Sequence, residues 1–186
     1  MKKIILYFFA LIVILSCNEK TAENSQYAVQ ISELNTILTE VENNYFQFLD
    51  YELDSITKIR KTASEKYKKV KAFYKSDTVN IVYESIMLTY KGQMIKRLKG
   101  IEGQHKGIIK EVEYSKNQIK DLTQKLIKEE FNKVDSEKYY TQEKNALLEL
   151  NRNINAYNAT ASNIFSINDS LTEKIDSLIN ANEPIQ

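Results

Sequence analysis

The sequence predicts an all-α fold in which three long antiparallel helices form a coiled-coil-like rod. Apolar residues recur at steps of three and four over most of the chain, which is the spacing that places side chains on one face of a helix. Residues that interrupt helices are scarce, since the 186 residues include one proline and four glycines. The helices are predicted at about 27 to 74, 78 to 134 and 137 to 180.

The first predicted helix carries an apolar seam that changes phase near Phe48. The seam positions are Ile31, Leu34, Leu38, Val41, Tyr45 and Phe48, followed by Leu53, Ile56, Ile59, Ala63, Tyr67, Val70 and Phe73. Such a shift is typical of a stutter, in which the seam drifts around a continuous helix. The segment KSDTV, residues 75–79, is predicted to end this helix, because Ser76 or Asp77 can cap the next one.

The second predicted helix contains all four glycines and the single histidine, within residues 91–111. Its seam passes through the glycines in phase, at Met94, Leu98, Ile101, His105, Ile108, Val112, Ser115, Ile119, Leu122 and Leu126. A helical glycine costs about 1 kcal/mol relative to alanine, whereas burying an aliphatic side chain contributes about 1.5 to 3 kcal/mol. These magnitudes favour a continuous helix. The clustered glycines are also a loop signal, so the alternative is a four-helix bundle with a turn at Gly100–Gly107.

The third predicted helix has the most regular seam. Its positions are Leu147, Leu150, Ile154, Tyr157, Ala161, Ile164, Leu171, Ile175 and Leu178. This is a heptad pattern, which is typical of helices that pack along their whole length. Asp135 or Ser136 is predicted to cap its start, and Pro184 lies just beyond its end.

The first 17 residues, MKKIILYFFALIVILSC, have the organisation of a secretory signal peptide. Two lysines precede an apolar run from Ile4 to Leu15, which is shorter than the about 20 residues that a membrane-spanning helix needs. The ending ILSC resembles the lipobox of bacterial lipoproteins, in which the cysteine is acylated and the signal is cut before it. The resemblance implies a lipid on Cys17 and membrane attachment through it. Asn18, in place of aspartate, favours the outer membrane, facing the periplasm or the cell exterior.

This resemblance divides the chain into a signal peptide at 1–16, a tether at 17–26 and a helical domain at 27–183. The tether sequence NEKTAENSQ is polar, which predicts a flexible segment. The remaining part of about 160 residues has the size of one domain. The single cysteine has no partner for an internal disulfide, which agrees with its use as a lipid attachment site.

Charge is balanced in total but uneven along the chain. Signal cleavage removes Lys2 and Lys3 from 26 basic residues, against 25 acidic ones, and this near-neutral balance gives no indication of nucleic-acid binding. No basic residue lies between Lys20 and Lys58, whereas residues 58–75 carry eight basic residues and one acidic residue. The far end of the rod is therefore predicted to have a basic surface, formed with Lys91, Lys96, Arg97, Lys99 and Lys106. The alternative is a solvated face that is partly neutralised by Asp169, Glu173 and Asp176.

The segment EGQH, Glu102 to His105, has the Glu-x-x-His spacing found in di-iron helical bundles. Such a centre needs this motif twice and two further glutamates, but the chain has one histidine. A Ser-His-Asp triad would need the same His105, and no phosphate-binding GxxxxGK pattern occurs. We therefore expect no metal, no cofactor, no catalytic residue and no enzymatic activity.

Four triplets resemble the Asp-Ser/Thr-apolar acceptor of a general O-glycosylation system of some Gram-negative bacteria. They are DSI at 54, DTV at 77, and DSL at 169 and 176. The resemblance implies glycan attachment at Ser55, Thr78, Ser170 and Ser177. The alternative is chance, because such triplets arise readily on amphipathic helices and at helix caps.

Together these patterns predict a lipoprotein of the outer membrane that acts as a non-catalytic scaffold, spacer or binding module. A protein partner in the cell envelope is expected, and nucleic acid is not. Two alternatives stay open. In the first alternative, the chain is an accessory subunit or inhibitor of an envelope machine. In the second, it is a helical bundle that carries a ligand.

Overall fold

The computed structural model describes residues 21–73 and 81–181, and the side chains of residues 21–72 and 84–181. The predicted all-α class is confirmed, and no strand occurs in these ranges. The helices are α1 (Ala28–Leu49), α2 (Leu53–Phe73), α3 (Ile81–Tyr90), α4 (Ile101–Ile127) and α5 (Lys133–Asn180). A short 3-10 turn, Ala22–Asn24, precedes α1, and a π-helical segment, Lys91–Lys96, continues α3.

These elements form three limbs that lie side by side. The first limb is α1 followed by α2, the second is α3, the π-helical segment and α4, and the third is α5 alone. Contacts between the first and third limbs join residues whose numbers rise together. The Asn44 amide donates to Asn151 Oδ1 at 2.7 Å, and Lys66 Nζ donates to Asp176 Oδ2 at 2.8 Å. The first and third limbs are therefore parallel.

The second limb runs in the opposite direction to the other two. The Ser25 hydroxyl donates to the carbonyl oxygen of Leu126 at 3.2 Å, and Lys91 Nζ lies 5.5 Å from the centroid of the Tyr67 ring. Residue numbers on the second limb thus fall as those on the first rise. The limb keeps this direction through the glycine segment, so the alternative of a hairpin turn at Gly100–Gly107 is wrong.

The third limb is the one uninterrupted helix of the rod within the described residues. It has 48 residues, which corresponds to about 72 Å at 1.5 Å per residue. The predicted heptad seam faces the other limbs, and its buried residues are Leu147, Leu150, Ile154, Tyr157, Ala161, Ile164 and Ile175. Continuous burial along this seam explains how such a long helix is stabilised.

The start of α5 lies a few residues before the predicted one, and the predicted caps are wrong. Asn132 is the N-cap, and its side-chain oxygen accepts a hydrogen bond from the Asp135 backbone N–H at 2.9 Å. Ser136 is buried inside the first turn. Several polar residues precede the apolar seam, and each of them could cap a helix locally, so the sequence left the position of the cap open.

The first limb is broken at the point where its seam changes phase. α1 ends at Leu49 and α2 begins at Leu53, so the predicted stutter in a continuous helix is wrong. The Tyr51 amide donates to the Phe48 carbonyl oxygen at 3.2 Å and closes a turn there. Phe48 and Ile56 on the two sides of the break are both 0% exposed. The break resets the phase and keeps both halves of the seam in the core.

The second limb is broken as well, so the predicted continuous helix is wrong at this place. The π-helical segment is followed by a turn that ends at Gly100, whose φ of +91° lies in the left-handed region that glycine adopts without strain. Helix α4 then begins at Ile101 and passes through Gly103 and Gly107. The seam prediction is confirmed on both sides of the turn, and its buried members are Met94, Leu98, Ile101, Ile108, Val112, Ser115, Ile119, Leu122 and Leu126.

The rod can be divided at the level of these two breaks. The proximal half consists of α1, α4 and residues 133–157 of α5, and it lies at the end where residue 21 enters. The distal half consists of α2, α3, the π-helical segment and residues 158–180. In both limbs the break lies just distal to the contact between Phe48 and His105, whose ring centroids are 4.6 Å apart.

Part of the predicted N-terminal tether lies within the described residues. Ser25 is buried, and its hydroxyl bonds to Leu126 at the end of α4. Packing therefore begins before residue 27. Outside the described residues lie the predicted signal peptide, the start of the predicted tether, Ser76, Asp77 and Pro184. None of the helices described combines the length and the hydropathy that crossing a bilayer requires.

Candidate functional site

The most strongly charged surface of the described chain lies on α2. This helix carries seven basic and two acidic residues. Four of the lysines form what we call the lysine face, and all four are exposed, namely Lys58, Lys61, Lys68 and Lys71. Within the part of the chain that the structure describes, no carboxylate lies at ion-pairing distance from any of them. Their positive charges are therefore open to solvent or to a partner.

The contacts of α2 with its neighbours fix the direction of the lysine face. Lys66 points toward α5, where its ammonium forms an ion pair with Asp176 at 2.6 Å. Tyr67 points toward the second limb and lies beneath Lys91. At about 100° per residue, Lys61 and Lys68 lie roughly 140° to 160° around the helix from Lys66. Lys61, Lys68 and Lys71 therefore point away from α5 and into solvent, whereas Lys58 is exposed about 80° around the helix from Lys66.

The four lysines are arranged along the rod and not around one point. From Lys58 to Lys71 the helix rises by about 20 Å, and the four side chains cover an arc of about 140°. Glu65 is also exposed and lies within this arc, between Lys61 and Lys68 along the helix. The row is one part of the predicted basic surface, and the predicted residues Lys91, Lys96, Arg97 and Lys99 lie on the second limb. Lys106 was predicted to belong to this surface but lies on α4 in the proximal half, beyond the break of the second limb.

The proximal half joins some of its opposite charges in ion pairs between limbs. Lys116 on α4 forms an ion pair with Glu42 on α1 at 2.8 Å. Lys144 on α5 pairs with Glu33 on α1, and Tyr140 donates a hydrogen bond to the same carboxylate. The hydrogen bond from Lys144, together with that from Tyr140, lowers the pKa of Glu33 below its ordinary value. Two of the three acidic residues of α1, Glu33 and Glu42, are thus paired with neighbouring limbs.

An aromatic cluster joins the three limbs at the level of the breaks. Phe48 from α1, His105 from α4 and Tyr157 from α5 meet there, with the Phe48 and Tyr157 ring centroids 4.7 Å apart. Burial lowers the pKa of His105 and raises the pKa of Tyr157 to about 12. The Tyr157 hydroxyl has no hydrogen-bond partner among the described residues. This cluster packs the centre of the rod, with both groups in their neutral forms at pH 7.

His105 is also the histidine of the Glu-x-x-His motif, so its environment bears on whether this motif could take part in a metal site. Its ring is half-buried against Phe48, whereas Glu102 is exposed one turn away. Within residues 21–73 and 81–181, no three histidine, cysteine or acidic side chains gather in an arrangement that could hold a metal ion. The side chain of His105 serves the packing of the aromatic cluster.

A shallow groove lies between α4 and α5 beside this cluster. It has a volume of about 390 Å³, and its floor includes Ile108, Leu150 and Tyr157. Exposed polar residues form its rim, including Gln104 and Asn153. The groove is partly open to solvent, so it does not surround a ligand on all sides.

The described candidate glycosylation sites all lie in the distal half. Ser55 is half-buried and its hydroxyl donates to Glu52 Oε2 at 3.2 Å. Ser170 and Ser177 are exposed on α5, and the Ser170 hydroxyl donates to the Ile167 carbonyl oxygen at 3.2 Å. Glycan attachment at these serines stays a prediction. Thr78 and Cys17, the predicted lipidation site, lie outside the described residues.

Sequence patterns missed one polar connection in the centre of the rod. The Asn158 amide donates to the Asn44 carbonyl oxygen at 2.9 Å, and the Asn44 side chain in turn donates to Asn151. These asparagines tie α1 to α5 beside the aromatic cluster. Asn158 follows the seam residue Tyr157 directly, and this position at the edge of the seam was the signal available in the sequence.

No protein-family model, curated protein or solved structure matches the chain.

Proposed function

We propose that this chain is a lipid-anchored, non-catalytic scaffold or spacer of the bacterial cell envelope. The lipobox-like ending ILSC supports an anchor at Cys17 and, with Asn18, a place in the outer membrane. Two or three acyl chains on one cysteine supply the multiple signals that stable membrane attachment needs. The helical domain then works outside the bilayer, on a partner that it meets at a distance from the membrane.

The observation that carries this proposal is the point at which the chain enters the rod. Ser25 packs against Leu126, at the end of α4 and next to the loop that leads into α5. A lipid attached shortly before residue 25 would therefore hold the rod by its proximal end. The distal half would then stand as far from the anchor as the 48 residues of α5 allow, which is about 70 Å.

The surroundings of the one histidine support a non-catalytic role. General acid–base catalysis usually needs a titratable side chain within reach of a substrate and of a second polar group. His105 instead stacks on Phe48, and among the described residues it forms no hydrogen bond with a hydroxyl or carboxylate. A rod that only positions a binding surface needs no catalytic side chain, which agrees with the packing of His105.

The anchor is tested by metabolic labelling with a fatty-acid analogue. Replacing Cys17 with serine should abolish the label and leave a longer, uncleaved precursor, because both acylation and cleavage depend on the thiol. Ser16→Ala is the matched control, since a small residue remains before the cysteine and labelling should persist. Label that persists in Cys17→Ser would show that the anchor assignment is wrong.

The scaffold role is tested by crosslinking the full chain in native membranes and identifying the captured proteins by mass spectrometry. Crosslinks from the distal half to an envelope component are expected if the rod positions this half for a partner. Crosslinks confined to residues of the proximal half would contradict a role as spacer, because they would place the partner at the membrane end.

A further inference from the structure

The distal half has a surface for which the proposed function names no partner. The lysine face, formed by Lys58, Lys61, Lys68 and Lys71, is exposed, and three of its four lysines point away from α5. In the proximal half, two of the three acidic side chains of α1 are paired with lysines of neighbouring limbs, as with Glu42 and Lys116. The lysine face has no such pairing with the described carboxylates.

We propose that the lysine face binds a linear acidic polysaccharide. The positive charges are strung along about 20 Å of one helix, an arrangement that matches a chain carrying carboxylates at regular intervals. Lysine ammonium groups are compact charges on flexible stems, and they do not need the fixed fork geometry by which arginine recognises a planar anion. The proposal rests on the proposed function only for the location of this surface, far from the lipid anchor.

The composition of α2 argues against a protein partner on this face. Protein interfaces depend on buried aromatic or aliphatic anchors surrounded by a polar rim. The large apolar side chains that are exposed in the described chain lie on α1, α3, α4 and α5, and none of them belongs to α2. The lysine face therefore lacks the anchors that a stable protein contact requires.

The same composition argues against lipid and nucleic acid. A helix that lies on a membrane inserts an apolar face between headgroups, and the apolar face of α2 is already buried at Ile56, Ala63 and Val70. Single-stranded nucleic acids stack their bases on exposed aromatic rings. Tyr67 on α2 is half-buried, with Lys91 above its ring. An acidic polysaccharide needs neither feature and is held by charge.

The test uses the full-length protein in a neutral detergent and polygalacturonate as the probe, with uncharged dextran as the comparison. Isothermal titration at about 20 mM salt should detect binding to polygalacturonate and none to dextran. Raising the salt to about 500 mM should weaken the binding at least tenfold, because a short Debye length screens exposed charges. Binding that is unchanged by salt would overturn the proposal.

The charge requirement is tested with two matched sets of substitutions. Lys→Gln at Lys58, Lys61, Lys68 and Lys71 should raise the Kd at least tenfold, while circular dichroism shows an unchanged helix content because glutamine has a similar helix propensity. The control set removes the same charge from exposed lysines of the proximal half, Lys106, Lys110, Lys120 and Lys133. It should change the Kd less than twofold. An equal loss in both sets would mean that net charge alone drives binding, and the proposal would fail.

Two further probes decide the class of partner. Vesicles containing phosphatidylglycerol and an oligothymidylate strand are titrated under the same conditions, and both should bind more weakly than polygalacturonate. Tighter binding of either would overturn the polysaccharide assignment in favour of lipid or nucleic acid. The titrations do not depend on acylation, so failure here leaves the Cys17 labelling result standing, and failure of the labelling leaves these titrations valid.

Discussion

The proximal and distal halves share one helical construction but differ in how their charges are arranged. On α1 the acidic residues outnumber the basic ones by three to none, yet Glu33 and Glu42 are bound by lysines of the other two limbs. On α2 the basic residues outnumber the acidic ones by seven to two. The ion pair that this helix forms with α5, between Lys66 and Asp176, involves a side chain outside the lysine face.

This difference shows how a near-neutral chain can carry a charged surface. The total formal charge of +1 results from an acidic first helix and a basic second helix, which lie at different levels of the rod. Exposed charges separated by more than about 8 Å are largely screened from each other at physiological salt. The two halves therefore behave as separate electrostatic surfaces, and the balance of the whole chain says little about either of them.

The two halves are expected to unfold together, and a substitution at the boundary between them should have the largest effect on stability. Phe48→Ala should lower the free energy of unfolding by about 3 to 5 kcal/mol, because a fully buried aromatic side chain is removed from the aromatic cluster. Urea denaturation followed by circular dichroism measures this loss and should keep a single transition.

Phe46→Ala is the matched control, since it lies two residues away on the same helix but is 66% exposed. Its effect should stay within about 0.5 kcal/mol. Two separate transitions in either variant would contradict one cooperative rod, and the halves would then have to be treated as independent bundles.

Substitutions of glycines at the break in the second limb should have smaller effects on stability. These effects should differ in sign between Gly100 and Gly103. Gly100→Ala should destabilise the protein by about 1 to 2 kcal/mol, because its φ of +91° strains any residue with a Cβ atom. Gly103→Ala should stabilise it by up to about 1 kcal/mol, because the residue is helical and its added methyl group would meet nothing within 4 Å. Thermal melts of both single variants measure the pair. Stabilisation by Gly100→Ala would show that the limb is helical through its break.

The smallest expected effect concerns the pH dependence of the aromatic cluster. Burial lowers the pKa of His105 below its ordinary value of 6.5, so the unfolded chain binds a proton at a higher pH than the folded chain. Stability should therefore be greatest above this value and decrease as the pH falls from about 7.5 to 5.5. Melting temperatures across this range measure the decrease.

His105→Phe keeps a ring against Phe48 but removes the titrating group, so most of the decrease over this range should disappear. The ion pair of Glu33 affects a different range, because its lowered pKa places the loss of that carboxylate contribution below about pH 4.5. A melting temperature of the wild-type protein that does not change between pH 7.5 and 5.5 would contradict the burial of His105.

Much of the fold could be predicted from the sequence, because helix formation here follows a repeating apolar pattern. Nearly all seam positions of α5 and of the second limb are buried as expected, and α5 ends at Asn180 as predicted. The lysine cluster on α2 was also visible as a run of basic residues. The breaks were less predictable. The sequence carried a signal at each break, namely a phase change near Phe48 and clustered glycines near Gly100. The free energies of a continuous and an interrupted helix differ at these places by only about 1 kcal/mol per residue. The signals therefore did not decide between the two.

The sequence by itself determined the helical class, the seams and the uneven distribution of charge, because these depend on residue spacing along one helix. The tertiary structure alone decided which charges are paired and which remain open. Glu42 and Lys116 are far apart in the chain yet form an ion pair, while the lysines of α2 that point away from α5 meet no described carboxylate. Ion pairs between limbs depend on the parallel or antiparallel register and on the direction of each side chain, and only the packing of the seams sets these quantities.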